Sequence, residues 1–139
     1  MDEIIEVWNI FHDGSIVEAK GSLPNLSLRI EIQYLRDMFP GNGDSFWAHI
    51  NGCTHIEYLN WEEDQKEKTL KAIIEQEPEI LDVSQIDNMV HIVCVNGELD
   101  LVYEGISFEI DSGSPVSIEE LDKGCNAYWN EWEKRGKST

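Results

Sequence analysis

The chain has 139 residues and a mass of 16.0 kDa, the size of one domain, and a hydrophobic content of 41%, enough for a packed core. Its 28 acidic side chains against 10 basic ones give a formal net charge of −18. That balance excludes unassisted binding to nucleic-acid phosphate, which needs Lys and Arg to displace counterions, and it opposes contact with anionic membrane surfaces for the same reason.

In chain order, Trp8 to Phe11 reads as a short first strand, His12-Asp13-Gly14-Ser15 as a turn, and Ser15 to Lys20 as the returning strand. Gly21 to Asn25, with Pro24, forms a second turn. From Leu26 to Tyr34 the apolar residues Leu26, Leu28, Ile30, Ile32 and Tyr34 alternate with polar ones, the pattern of a half-buried strand. Asp37 to Ser45 is a loop by its Pro and Gly content. Phe46 to Leu59 reads as strand, interrupted near Gly52. Glu62 to Gln76 has the composition of a helix with a thin apolar stripe of Leu70, Ile73 and Ile74, and Pro78 just past its end.

Ile80 to Ile86 reads as the next strand. Asn96-Gly97 between two apolar runs predicts a hairpin with a two-residue type I′ turn. In that register Val95 opposes Glu98 and Cys94 opposes Leu99, and His91 has Asp100 and Glu104 as diagonal neighbours. One hairpin face is then apolar (Val90, Ile92, Cys94, Leu99, Leu101, Tyr103) and the other mixes valines with acids. Ile106 to Ile110 continues the alternation, with Glu109 and Asp111 on the outer side. Ser117 to Lys134 reads as a helix opened by a Ser117/Glu120 capping box, with Ile118, Leu121, Cys125, Tyr128 and Trp132 packed on the sheet. The expected architecture is therefore a single α+β domain over residues 1–135. It has a mostly antiparallel sheet, one mid-chain helix and one C-terminal helix, with residues 136–139 as a frayed tail.

The stretch between Lys71 and Lys123 contains no Lys or Arg and thirteen acids. Glu98, Asp100, Glu104, Glu109 and Asp111, with His91 among them, are expected to project from one sheet face around Val93, Val95 and Val102. An apolar patch ringed by carboxylates suits a basic protein partner. His91 between carboxylates can serve as a pH-sensitive spot, a general acid or a cross-strand ion cluster.

Two other constellations carry possible chemistry. His49, Cys53 and His55 share strand parity and could chelate a metal if the strand were unbroken, whereas a break at Gly52 scatters them. His12-Asp13 could pair a base with an orienting carboxylate, although adjacent turn residues seldom point the right way. The phosphate-binding glycine loop, zinc-protease helix, nucleophile elbow and EF-hand loop are missing from the sequence. The leading reading accordingly assigns no catalytic residue, metal or cofactor. The five tryptophans are expected mostly in the core, with Trp129 or Trp132 at a rim.

The first residues lack the basic start and apolar run of a secretory signal, and no segment has the apolar length of a membrane span. Cys53, Cys94 and Cys125 are far apart, without a CxxC pair, and lie beside apolar neighbours, as buried thiols in a reducing compartment do. A cytoplasmic protein, monomeric or homodimeric, is expected.

The run Trp8-x-x-Phe11-His12-Asp13-Gly14-Ser15-Ile16, followed by amphipathic strands, resembles the start of several small acidic bacterial proteins, some of them similar to the immunity proteins encoded beside polymorphic toxins. The likeness covers about the first quarter of the chain. It implies an acidic binder that occludes a cationic toxin, and it brings no catalytic residue with it. The expected function is therefore a non-enzymatic, acidic protein-binding domain. The alternatives are a small metal-binding or hydrolytic protein built on His49/Cys53/His55 or His12/Asp13, and a homodimeric accessory protein.

Overall fold

A computed structural model describes residues 2–137 of the backbone and the side-chain surroundings of residues 6–133. The chain is α+β, with two five-stranded antiparallel sheets and four helices among the described residues, where the sequence predicted two helices. None of the helices among the described residues is long and apolar enough to cross a membrane.

The first difference from expectation comes at once. Residues Asp2–Ile10 form a helix, α1, and not a strand that includes Trp8 to Phe11. The reason lies in which side chains the core takes up. Val7, Trp8, Ile10 and Phe11 are buried while Glu6 and Asn9 are exposed, a spacing that only a helix puts on one side. Asp13, at φ 73, ends the element, and its N–H donates to the Ile80 carbonyl.

Strands β1 (Ser15–Ser22) and β2 (Asn25–Glu31) form the expected hairpin. The alternating burial of Leu26, Leu28 and Ile30 follows the predicted pattern, and Ile32 is also buried. Tyr34 does not continue the strand: it lies in a one-turn helix, α2 (Gln33–Arg36). The loop after α2 wraps the guanidinium of Arg36, which is fully buried. Nε of Arg36 donates to Oδ1 of Asp111 at 2.7 Å, and its terminal nitrogens donate to the carbonyls of Phe39, Pro40 and Asn42. The other Asp111 oxygen accepts from the N–H of Asp44 at 2.9 Å and that of Ser45 at 3.3 Å.

Gly52 breaks the next segment, as predicted. Strands β3 (Ser45–Asn51) and β4 (His55–Asn60) lie on either side of it and belong to different sheets. Gly52 has φ +63, and a Cβ there would stand 2.6 Å from the Glu104 side chain.

The predicted helix from Glu62 to Gln76 is instead a short strand, β5 (Gln65–Glu67), and a helix of six residues, α3 (Leu70–Glu75). Local hydrogen bonding explains the loss. The Asn60 side-chain oxygen accepts from the N–H groups of Glu62 and Glu63, turning the chain back so that β5 pairs with β4. The helix begins only where the Thr69 hydroxyl accepts from Ala72 N–H.

Strands β6 (Ile80–Ile86), β7 (Met89–Cys94) and β8 (Gly97–Val102) form a meander. The β7–β8 register is two residues away from the predicted one. Cys94 opposes Gly97, Ile92 opposes Leu99 and His91 opposes Asp100, so the chain reverses at Val95-Asn96. A slip of two preserves every facing, which is why the apolar face was read correctly while the pairs were not. Neither Asn96 nor Gly97 has a positive φ. Gly97 is needed for a different reason: a Cβ would lie 2.6 Å from Cζ of Tyr58 and still closer to the Leu59 carbonyl oxygen. Gly97→Ala is therefore expected to lower stability by about 1–3 kcal/mol through overpacking, measured as a shift in the urea midpoint at unchanged slope.

Strand β9 (Gly105–Ile110) leaves the meander and pairs with β3, and β10 (Pro115–Val116) pairs with β9. The first sheet thus runs β1-β2-β3-β9-β10 and the second β5-β4-β8-β7-β6. The chain crosses between them twice, at 52–54 and 103–104. The two crossings are tied by Thr54 N–H to Val102 O at 2.9 Å and Glu104 N–H to Asn51 O at 3.1 Å.

Helix α4 (Ile118–Lys137) starts as expected: Ser117 Oγ accepts from Glu120 N–H at 3.0 Å, and a Glu120 carboxylate oxygen accepts from Ser117 N–H at 3.1 Å. The helix lies against α1 and α2, and Leu121 enters the apolar cluster that the sheets share. Gly124 permits close approach to Phe39, whose ring would stand 3.2 Å from an added Cβ. Of the tail expected to fray, residues 136 and 137 are helical, and Ser138 and Thr139 lie outside the described residues.

One contiguous apolar cluster fills the space between the elements, with side chains from both sheets, α1, α2, α3 and α4. Trp8 sits at its centre, fully buried, with its indole N–H donating to the Tyr103 hydroxyl at 2.9 Å.

Candidate functional site

The six acidic-site residues expected on one face divide between the two sheets. The division follows from the crossing at 103–104, which sends β9 to the side of β3 and carries Glu109 and Asp111 with it. Glu109 meets Nε2 of His49 on the first sheet. Asp111 is held by Arg36 inside the loop after α2. Burial works to raise its carboxyl pKa, but the hydrogen bonds from Arg36, Asp44 and Ser45 and the guanidinium charge outweigh it, and the net direction is downward. Glu104 stands exposed at the crossing, against Gly52 and away from His91.

His91, Glu98 and Asp100 do come together, on the outward face of the second sheet. Their rows are read directly from the pairing. Ser84, His91, Asp100 and Glu57 lie side by side across β6, β7, β8 and β4, and the next row is Asp82, Val93, Glu98, Leu59 and Lys66. His91 Nδ1 lies 2.6 Å from Asp100 Oδ1 and Nε2 lies 3.2 Å from Glu98 Oε1. The second Glu98 oxygen accepts from the Trp61 indole N–H at 3.0 Å. Glu57 receives Lys66 at 3.5 Å and Lys68 at 3.7 Å. Sequence reasoning missed Glu57 and Trp61. The alternation of β4 marks Glu57 as outward-facing, but its pairing with β8, which brings it beside Asp100, is a tertiary fact.

The side chains of this face are half-buried, from 14% exposure at Glu57 to 28% at Glu98. They shield one another and the apolar Leu59, Val93 and Val102 between them. Val95 and Trp61, at the hairpin end, are nearly half exposed. The helices pack elsewhere: α1 on β6 and α4, α2 on α4 and β3, α3 on β1. The outcome is a broad, mostly anionic sheet surface with apolar residues in its rows. Such a face can bind by shape and charge.

The other constellations do not assemble as proposed from sequence. Gly52 scatters His49, Cys53 and His55: His49 faces outward on β3, Cys53 is buried and His55 begins β4 in the second sheet. Among the described residues, no group of three or more His, Cys, Asp or Glu side chains is placed to hold a metal ion. Burial pushes the Cys53 thiol up and the Cys94 thiol up to about 12, so neither presents a thiolate. His12 and Asp13 are neighbours at 3.2 Å, each about half exposed, in the turn that ends α1. Of the tryptophans, Trp8 is in the core and Trp61, Trp129 and Trp132 are exposed, more than the sequence reading allowed.

No protein-family model matches this chain, and no curated protein matches it either.

Proposed function

We propose that this chain is a binding protein that holds a basic protein partner on the outward face of its second sheet, in the manner of an immunity protein covering a cationic toxin. The observation that carries the reading is the Glu57–Asp100–His91–Glu98 cluster set among Leu59, Val93 and Val102, on a sheet face that the helices leave open. Carboxylates in a partly desolvated surface attract cations over a longer range than fully solvated ones, and the apolar residues between them supply area to bury once contact is made. The net charge of −18 adds a long-range field that steers a cationic partner toward the molecule.

Co-expression with the product of the adjacent reading frame tests the proposal. Capture is expected at low salt and should weaken as the ionic strength rises and the screening length falls to about 10 Å. Glu98→Lys with Asp100→Lys should weaken capture at least about tenfold, equivalent to roughly 1.4 kcal/mol, while the circular dichroism spectrum is unchanged. Glu109→Lys, on the other sheet, should leave capture intact. Capture that ignores salt, or that survives the double reversal, would overturn the assignment to this face.

A further inference from the structure

The outward face of the first sheet carries an arrangement that binding does not explain. Ser27 on β2 pairs with His49 on β3, and Glu109 on β9 lies diagonal to it. Ser27 Oγ is 2.7 Å from His49 Nδ1, and Nε2 of the same ring is hydrogen-bonded to Oε1 of Glu109. In the neutral ring Nε2 carries the proton, because an ionised carboxylate only accepts. The lone pair of Nδ1 is left to accept from the Ser27 hydroxyl. Hydroxyl, imidazole and carboxylate are therefore in line, with the carboxylate selecting the tautomer that makes the ring a base toward the hydroxyl.

The three side chains line a shallow depression of about 240 Å³, together with Trp47, Lys20 and Ser112. The imidazole is 38% exposed and the carboxylate 35%, so both are reachable from solvent. Lys20 is the register neighbour of Ser27, and its ammonium stands 4.3 Å from the centre of the Trp47 ring. That contact holds a positive charge in the lining of the depression.

We propose that Ser27 is a nucleophile, activated by His49 and oriented through Glu109, that takes the acyl group of small carboxylic esters entering this depression. Ser27 Oγ bonds to the acyl carbon and its proton passes to His49 Nδ1. The carbon–oxygen bond to the leaving group breaks, and the departing oxygen keeps the electron pair and takes the proton from His49. Water repeats the sequence on the acyl-serine, releasing the carboxylic acid and restoring Ser27. Ser27 and His49 are the catalytic residues and Glu109 is the positioning residue. The depression is on the other sheet from the proposed partner face, so the two assignments stand or fall separately.

Two probes test it on the intact chain. Phenylmethanesulfonyl fluoride is expected to sulfonylate Ser27 with loss of fluoride, located by peptide mass spectrometry. Hydrolysis of p-nitrophenyl acetate is expected to fall at least about tenfold in both Ser27→Ala and His49→Gln, a floor set below the roughly 10²–10⁴-fold that a general base contributes. In Glu109→Gln the amide can donate to Nε2 and favour the wrong tautomer, so labelling should slow while the melting temperature stays the same. Circular dichroism of each variant separates loss of chemistry from loss of fold, and Ser27→Ala, which only removes a surface hydroxyl, is the variant least able to disturb it. Absence of the sulfonyl group from Ser27, or hydrolysis by Ser27→Ala or His49→Gln within tenfold of the parent rate, would overturn the proposal.

Discussion

Arg36→Ala is expected to destabilise the protein by about 3–5 kcal/mol, because removal of one partner leaves the other buried charge without compensation. The substitution leaves the Asp111 carboxylate with the N–H groups of Asp44 and Ser45 but no opposite charge and, at the same time, removes the donors that satisfy the carbonyls of Phe39, Pro40 and Asn42. The loop between α2 and β3 has its shape from these bonds, so its collapse should also loosen the edge where β3 begins. In thermal unfolding the loss corresponds to a fall of roughly 10–17 °C for a chain of this size. An unfolding free energy within about 1 kcal/mol of the parent would show that the guanidinium is not the organiser of this loop. Arg36→Lys should recover only part of the loss, since an ammonium cannot reproduce a planar fork that serves four oxygens.

The same pair sets a pH dependence with a definite sign. The Asp111 carboxyl lies below its ordinary value of 3.8 in the folded chain. Its ionised form therefore stabilises the fold fully above the unfolded-state pKa of about 3.9, and that contribution is lost as the pH falls through the folded value. The stability difference between the parent and Asp111→Asn should be constant near neutrality and shrink below about pH 4. A difference that grew on acidification would contradict the assignment.

Trp8→Ala is expected to cost about 3–5 kcal/mol, the range for deleting a large aromatic ring from a packed core. Trp8 is fully buried and joins α1, through Tyr103, to the crossing that follows β8. Trp8→Phe keeps most of the ring and removes the donor, for a loss of about 1–2 kcal/mol. The series also tests the helix itself. A strand through this segment would put Trp8 and Ile10 on one face and Phe11 on the other. The helix buries Trp8 and Phe11 together, with Phe11 against Phe46 and Phe108 at ring-centre distances of 5.7 and 5.3 Å. Phe11→Ala should then be as damaging as Trp8→Ala, while Asn9→Ala, on the exposed side, should change stability by no more than about 0.5 kcal/mol.

Several elements could be read from the residues because their signals are local. The alternation in β2, the capping box of α4, the break at Gly52 and the parity of the β7–β8 hairpin each depend on atoms a few residues apart. The failures have a common origin in longer-range contact. The Trp8 segment is too short for its period to decide between helix and strand, and the core decided it by accepting four side chains on one side. The Glu62–Gln76 segment has helical composition, yet pairing with β4 and the Asn60 turn give its first half more than an isolated helical turn would. Asn96-Gly97 signals a turn by its capacity to take positive φ, whereas the glycine is required because Tyr58 and Leu59 press on it from the neighbouring strand.

The acidic site shows the same division. By itself the sequence determined the net negative charge of this protein, that most of that net charge lies in one stretch of chain, and that His91 would stand among carboxylates, since these follow from composition and from side-chain parity along a strand. Only the tertiary structure decided which carboxylates share a surface. Two crossings between sheets sent Glu109 to His49 and Asp111 to Arg36, and pairing of β4 with β8 brought Glu57 into their place beside Asp100. Parity within a strand is set by backbone geometry that every residue carries with it. The choice of neighbouring strand is set by which pairing buries the largest shared apolar surface, and that quantity belongs to the whole chain.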